Sequence, residues 1–194
     1  KKNQKSLKKL INKINKIYIC DGHHRIQGMI NSKKKISPMI IAFPHNQIQI
    51  LDYNRVLKSN LSIEKVFNII SKNFIIKKIK NNSKSLKKGN MEMYVNHQWY
   101  SLKQIKNNNK LDVTTLHEKI ISKIKVNKIE FISGINGSII LKKLVNSKKF
   151  NIAFKLCPTN ISSVMRIADK KRFMPPKSTW FHPKPLDGLI CSEL

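Results

Sequence analysis

The apolar residues of this chain come in short parcels, and that parcelling limits the folds open to it. No run approaches the roughly 20 residues that cross a membrane. Some parcels are continuous or alternate every second residue, as strands do, and others recur at three and four, as the buried stripe of a helix does. The mixture predicts an α+β fold, mixed sheets with packed helices, in a chain of 194 residues, 40% of them hydrophobic, enough for one well-buried domain.

Taken in order, Leu7, Leu10, Ile11, Ile14 and Ile17 have helical spacing, with Lys8, Lys9, Lys13 and Lys16 on the opposite side. Ile17 to Cys20 reads as a short strand, Gly22 as a turn, and His23 to about Asn31 as a helix containing Gly28. A basic loop follows over 32–37. Pro38 to Phe43 and Ile48 to Leu51, joined by a turn at Pro44 to Gln47, read as a hairpin, after which Asp52-Tyr53-Asn54-Arg55-Val56 leaves the sheet. Ser62 caps a helix carrying Val66, Phe67, Ile69 and Ile70, and Phe74 to Ile79 returns as a strand. Residues 81–90 are almost without apolar side chains and are expected to be a linker or exposed loop between parts 1–80 and 91–194 of one composite domain. Met91 to Val95 and Trp99 to Leu102 form a second hairpin, with His97 exposed at its turn. A polar loop over 104–110 leads to a helix from Val113 to Ile124, with Leu116, Ile120, Ile121 and Ile124 on one face. Ile129 to Ile132 is a strand, Ile139 to Val145 a helix, Ile152 to Leu156 a strand, and Thr159 or Asn160 caps a helix through Ala168. Pro175, Pro176, Pro183 and Pro185 hold the last stretch extended.

Chemistry concentrates at Asp21-Gly22-His23-His24-Arg25. The start of a helix leaves backbone N–H groups unpaired and carries a partial positive charge, so a polar loop feeding one is suited to anions. Arg25 can grip a phosphate with two parallel hydrogen bonds, His23 and His24 can donate or relay a proton, and Asp21 can orient a histidine or hold a cation.

Three further stretches carry a functional and a structural reading side by side. Asn54 and Arg55 serve either a site or an ordinary strand exit. Ser133-Gly134-Ile135-Asn136-Gly137 lies between strand and helix, where a glycine loop can cradle phosphate or simply make a tight connection, and the latter is favoured because no P-loop ending follows. Lys177, Ser178 and Thr179 supply one cation and two hydroxyls to a phosphate clamp, unless the prolines and aromatics around them only seal the domain edge.

The net charge of +29 ordinarily points to nucleic acid. Here 35 lysines stand against four arginines, beside 30 isoleucines and 21 asparagines, and lysine is spread along every segment, which marks a compositional drift rather than one binding patch. Nucleic acid is disfavoured on that ground, and arginine positions become informative because lysine is used so freely. Three scattered cysteines without a Cys-x-x-Cys pair fit a reducing cytoplasm. The chain opens on lysine, with no cleavage pattern after an apolar segment, so a start inside a longer protein is expected rather than a signal peptide.

Tyr18-Ile19-Cys20-Asp21-Gly22-His23-His24-Arg25 resembles the Asp-Gly-His-His-Arg signature of the bacterial family called domain of unknown function 1015. It is more distantly similar to the corresponding loop of free serine kinases in the ParB/sulfiredoxin-like group. Phe173-Met174-Pro175-Pro176-Lys177-Ser178-Thr179-Trp180-Phe181-His182-Pro183-Lys184-Pro185 is similar to the same family's C-terminal signature. The segments at Ile50 to Val56, Leu111 to Val113 and Ile129 to Gly134 fall in its order.

The resemblance implies a ParB/sulfiredoxin-like core lacking an N-terminal portion. It also implies a phosphotransfer enzyme linked to nucleotide or phosphoserine, using ATP or ADP with Mg²⁺. His23, His24 and Asp21 would be catalytic, with Asp21 as the magnesium carboxylate. Gly22, Arg25, Asn54, Arg55, Gly134, Lys177, Ser178 and Thr179 would bind a small phosphorylated ligand, and no membrane partner is implied. Two alternatives stand beside it: a ParB-like nucleotide-binding or DNA-partitioning regulator, and a fragment without activity of its own.

Overall fold

The computed structural model describes residues 2–32, 38–106 and 109–186. Contacts divide the chain into two units, one from His45 to Pro183 and one made of the residues up to Pro44 and from Lys184 onward.

The larger unit is built on a six-stranded antiparallel sheet of order β3-β5-β4-β7-β2-β6. In chain order its strands are β2 (Tyr53–Ser59), β3 (Phe74–Ile79), β4 (Asn90–Val95), β5 (Gln98–Gln104), β6 (Val126–Ser133) and β7 (Ile152–Lys155). Successive side chains on a strand point to opposite faces, and the core divides accordingly. Leu57, Met93 and Phe154 join one buried cluster with Val66, Ile70, Leu116 and Ile120, from helix α3 (Ile63–Ser71), helix α4 (Asp112–Lys119) and the residue after α4. Their neighbours Val56, Tyr94 and Ala153 join a second cluster with Leu141 and Val145 of helix α5 (Ile139–Asn146). Helices thus cover both faces, so the interior strands read as nearly continuous apolar runs. Helix α6 (Ile161–Asp169) completes the unit, and strand β1 (Gln49–Leu51) pairs with β8 (Trp180–His182) in a separate two-stranded ribbon.

Local signals account for much of this. The Ser62 hydroxyl accepts from the Lys65 N–H and starts α3, and the Asn160 side chain does the same for Ser163 in α6. The β4–β5 hairpin turns through Asn96 and His97, both at positive φ (46° and 59°), the geometry of a two-residue loop whose twist matches its strands.

Several expectations are corrected. The first helix, α1 (Lys2–Ile11), ends before Ile14, and Leu7, Leu10, Ile11, Ile14 and Ile17 are all exposed, so no described residue buries their stripe. Ile17 to Cys20 is not a strand, and neither is Pro38 to Phe43, whose apolar side chains face solvent. The first hairpin is therefore absent, and β1 takes its partner from the far end of the chain, Ile50 opposite Phe181. Tyr53 to Val56 does not leave the sheet but opens the interior strand β2, where hydrogen bonds make the burial of its polar side chains tolerable. The helix expected over 113–124 stops at Lys119 and continues as a 3-10 turn from Ile121 to Lys123. The basic loop at 32–37 lies, apart from Ser32, outside the described residues, as do residues 107 and 108 of the polar loop.

Candidate active site

In the smaller unit, Gly22 sits at φ 79°, a left-handed conformation that side chains disfavour, and helix α2 (His23–Asn31) begins at the next residue. His23, His24 and Arg25 are thus the first three residues of a helix, with Ile26 N–H already bonded to the Gly22 carbonyl at 3.1 Å. No side chain caps this helix start. The Arg25 guanidinium folds back on the turn: a methyl group added at Gly22 would lie 3.1 Å from Nη2 and 3.3 Å from Nε. Glycine is required there twice over, for φ and for room. Asp21 Oδ1 accepts from the Gly22 N–H at 2.9 Å, and Oδ2 lies 3.5 Å from the Lys184 ammonium. The Gly22 N–H first, then Lys184 and Arg25, hold the Asp21 carboxyl below the usual range. An ionised carboxylate, two exposed imidazoles and an exposed guanidinium therefore surround one helix start.

In the larger unit, neighbouring antiparallel strands bring the beginnings of β2 and β4 and the ends of β5, β6 and β7 to one end of the sheet. Asn54 is buried and bridges two segments: Oδ1 accepts from Leu156 N–H at 3.0 Å, and Nδ2 donates to Asp52 Oδ2 at 2.6 Å. Arg55 is 3% exposed and donates to the carbonyls of Tyr53 at 2.6 Å, Asn54 at 3.3 Å and Lys177 at 2.7 Å. Its guanidinium stacks 4.4 Å from the centre of the Phe131 ring, and no carboxylate among the described residues pairs with it. Burial pushes this group down to about 10, still charged at neutral pH.

Gly134 N–H donates to the Asp52 carbonyl at 2.8 Å, and a methyl group there would meet Asp52 Oδ1 at 1.7 Å. What this glycine secures is close approach of two backbones. The proline segment does not stay extended: it turns at Lys177, φ 52°, which exposes that ammonium 5.9 Å from the Tyr53 ring and buries Ser178. The Ser178 hydroxyl has no hydrogen-bond partner among the described residues, and Thr179 is half-buried. Trp180 meets Tyr53 edge to face with centroids 5.8 Å apart. Asn54, Arg55, Gly134, Lys177 and Ser178 thus belong to one neighbourhood.

Sequence reasoning gave no role to Glu92, Asp112, Lys155 and Cys157, which lace the loop at 80–90 onto the same end of the sheet. Glu92 accepts from Ser83 N–H at 2.8 Å, Lys155 donates to the Ser83 carbonyl, Asp112 accepts from Gly89 N–H at 3.0 Å, and the Cys157 thiol donates to Leu86 O at 3.1 Å. The available signal was Glu92, a charge between Met91 and Met93 inside a buried strand, where a carboxylate persists only with partners. Among the described residues no three His, Cys, Asp or Glu side chains gather as an ion-holding group, and no helix is long and apolar enough to cross a membrane.

The family described as "Protein of unknown function (DUF1015)" matches residues 1–126, and the chain belongs to it. No curated protein sequence matches the chain. Among solved structures, the fold is similar to a substituted free serine kinase in complex with AMP (TM-score 0.53, 16% identity). It is also similar to the same substituted enzyme in complex with ADP (TM-score 0.51, 16% identity). In each case 84% of this chain is covered, and the chain spans 66% of the length of the kinase structure.

Proposed function

We propose that this protein is a nucleotide-dependent phosphotransferase acting on a small hydroxyl-bearing substrate, in the manner of a free serine kinase. The observation that carries the reading is the turn at Gly22, which delivers two imidazoles and a guanidinium as the opening residues of a helix beside an ionised carboxylate. The fold adds support, since similar structures hold AMP and ADP, although fold alone assigns no chemistry. With this reading go a ParB/sulfiredoxin-like core and a cytoplasmic setting, the latter in keeping with free thiols at Cys20 and Cys157.

In the proposed reaction the substrate hydroxyl oxygen attacks the terminal phosphorus of ATP or ADP. A new O–P bond forms, the anhydride O–P bond breaks, and the shortened nucleotide leaves with the electron pair. His23 or His24 takes the hydroxyl proton. Arg25 holds phosphate oxygens by paired hydrogen bonds, and the backbone N–H groups of the first turn of α2 add to the grip. Asp21 is the residue that would hold Mg²⁺, an ion that commonly takes one or two carboxylates and completes its shell with water and substrate phosphates. That ion would offset phosphate charge. Lys177, Ser178 and Thr179 are proposed as phosphate contacts in their own right, one exposed cation and two hydroxyls.

Phosphorus NMR of the protein with serine, Mg²⁺ and either ADP or ATP tests this. Phosphoserine should accumulate as the terminal phosphate is lost, and Arg25→Ala and His24→Ala should slow turnover by on the order of 10² or more, with His23→Ala as the alternative base. Unchanged turnover in all three variants, or no binding of either nucleotide, overturns the assignment. A salt-resistant, sequence-selective DNA complex would replace it with the DNA-partitioning reading.

A further inference from the structure

We propose that the exposed ring of Phe131 is a stacking platform for the bases of a single-stranded nucleic acid, with Lys177 as a phosphate contact beside it. Phe131 lies on β6, the edge strand of the sheet, which among the described residues pairs with β2 alone. The side chain is 41% exposed, yet its ring is fixed. One face rests on the Arg55 guanidinium, 4.4 Å from the ring centre, and Arg55 is itself pinned by the carbonyls of Tyr53 and Lys177. The opposite face is left for a ligand. A ring held from behind gives up little conformational freedom when a second planar group stacks on it. Every base presents a π-face, so such a platform holds single strands with little regard to sequence, whereas a duplex keeps its bases stacked on one another.

The same guanidinium places the cation. Arg55 Nη2 donates to the Lys177 carbonyl at 2.7 Å, and from that backbone the exposed Lys177 ammonium stands 5.9 Å from the centre of the Tyr53 ring. Among the described residues this ammonium is in no ion pair. Asp52, next to Tyr53 in sequence, spends Oδ2 on Asn54 Nδ2 at 2.6 Å. A phosphate therefore meets a free cation close to the ring. The net charge of +29 attracts any polyanion and so selects none. Selection falls to the ring, which favours a polyanion that carries bases. An open ring with one ammonium offers a lone nucleotide few contacts, whereas a strand adds phosphates along a basic surface. Tyr53, Arg55, Phe131 and Lys177 all lie outside the Gly22 turn.

Fluorescence anisotropy with a short labelled oligodeoxyadenylate, an abasic strand of the same length, and unlabelled heparin as competitor tests the platform. The strand with bases should bind tighter than the abasic one. Phe131→Ala should weaken it roughly tenfold or more and leave the abasic strand and heparin unchanged. Phe131→Leu keeps an apolar cover on Arg55 and should lose as much, which separates stacking from a folding defect, and Phe131→Trp should bind as tightly as the parent. Lys177→Gln should lower the slope of log K against log salt by about 0.7, the share of one phosphate contact on a single strand. Arg25→Ala should leave the effect of Phe131→Ala unaltered, so failure here and failure of the kinase reading are separable. Equal affinity for the two strands, insensitivity to Phe131→Leu, or an equal loss of heparin binding would overturn the proposal.

Discussion

Arg55 should behave as the clip that ties the Pro-Pro-Lys-Ser-Thr segment to the sheet, and its removal has a magnitude that follows from its contacts. The guanidinium is buried and spends two short hydrogen bonds, 2.6 Å and 2.7 Å, on the carbonyls of Tyr53 and Lys177. Hydrogen bonds from a charged donor contribute about 1.5–3 kcal/mol each. Against that, truncation removes a buried cation whose desolvation was itself unfavourable, so Arg55→Ala should cost about 3 kcal/mol, toward the bottom of the range. Arg55→Lys keeps the charge, but one ammonium cannot reproduce the planar fork that spans both carbonyls, and about 2 kcal/mol should still be lost. Urea unfolding reads the total as a lower midpoint with an unchanged slope. Chymotrypsin reads the location: cleavage after Trp180 and Phe181 should accelerate, whereas cleavage after Phe173, already 93% exposed, should not. A loss below about 1 kcal/mol with unaltered cleavage would refute the clip. A loss in Arg55→Ala with none in Arg55→Lys would show that a single ammonium serves both carbonyls and that the planar fork is not required.

Three further outcomes are expected. Gly22→Ala should weaken nucleotide binding without unfolding the protein, since it forces a side chain into a left-handed residue at a cost of about 1 kcal/mol and crowds the Arg25 guanidinium; unaltered binding would show that the turn has no part in it. The Asp112 carboxyl is raised by burial, which outweighs the Gly89 N–H and Lys88. Its contribution to stability is therefore fully present below its unfolded pKa of about 3.9 and lost as pH rises through its higher native value. Asp112→Asn should flatten the urea midpoint across that acid window, and an identical pH profile in the variant would contradict the assignment. Burial, with Asp112 and Asp52 adding to it, pushes the Cys157 thiol up to about 11, so iodoacetamide at pH 8 should modify it on the order of 10² times more slowly than a free cysteine. Peptide mass spectrometry resolves the site, and labelling at the free-thiol rate would place Cys157 at the surface.

Much of this protein was legible in its sequence, and what was legible is local. Ser62 and Asn160 announced α3 and α6 because a cap acts over three residues, and the β4–β5 hairpin followed from two alternating runs around a short polar turn. The start of α2 was visible too, since glycine is the residue that reaches φ 79° without steric penalty. Those same signals placed His23, His24 and Arg25 at a helix start before any tertiary contact was known.

Tertiary structure decided what local patterns leave open. Pro38 to Phe43 and Leu7 to Ile17 have the periodicity of buried elements and remain exposed, because periodicity states what a segment could bury and not whether a partner arrives. β1 pairs with β8, and Asn54 holds Leu156 across 102 positions, so neither partner is written near the residue it serves. The fates of Asn54, Arg55 and Gly134 depend on this: polar residues and a glycine that suggested a phosphate site in the linear chain are drawn, by the burial of six strands between two layers of helices, into bonds with Asp52, Tyr53, Leu156 and Lys177. Chain order determines local dihedral preference, whereas the pairing of distant strands is settled by which arrangement buries the apolar faces together and leaves the fewest polar groups unpaired.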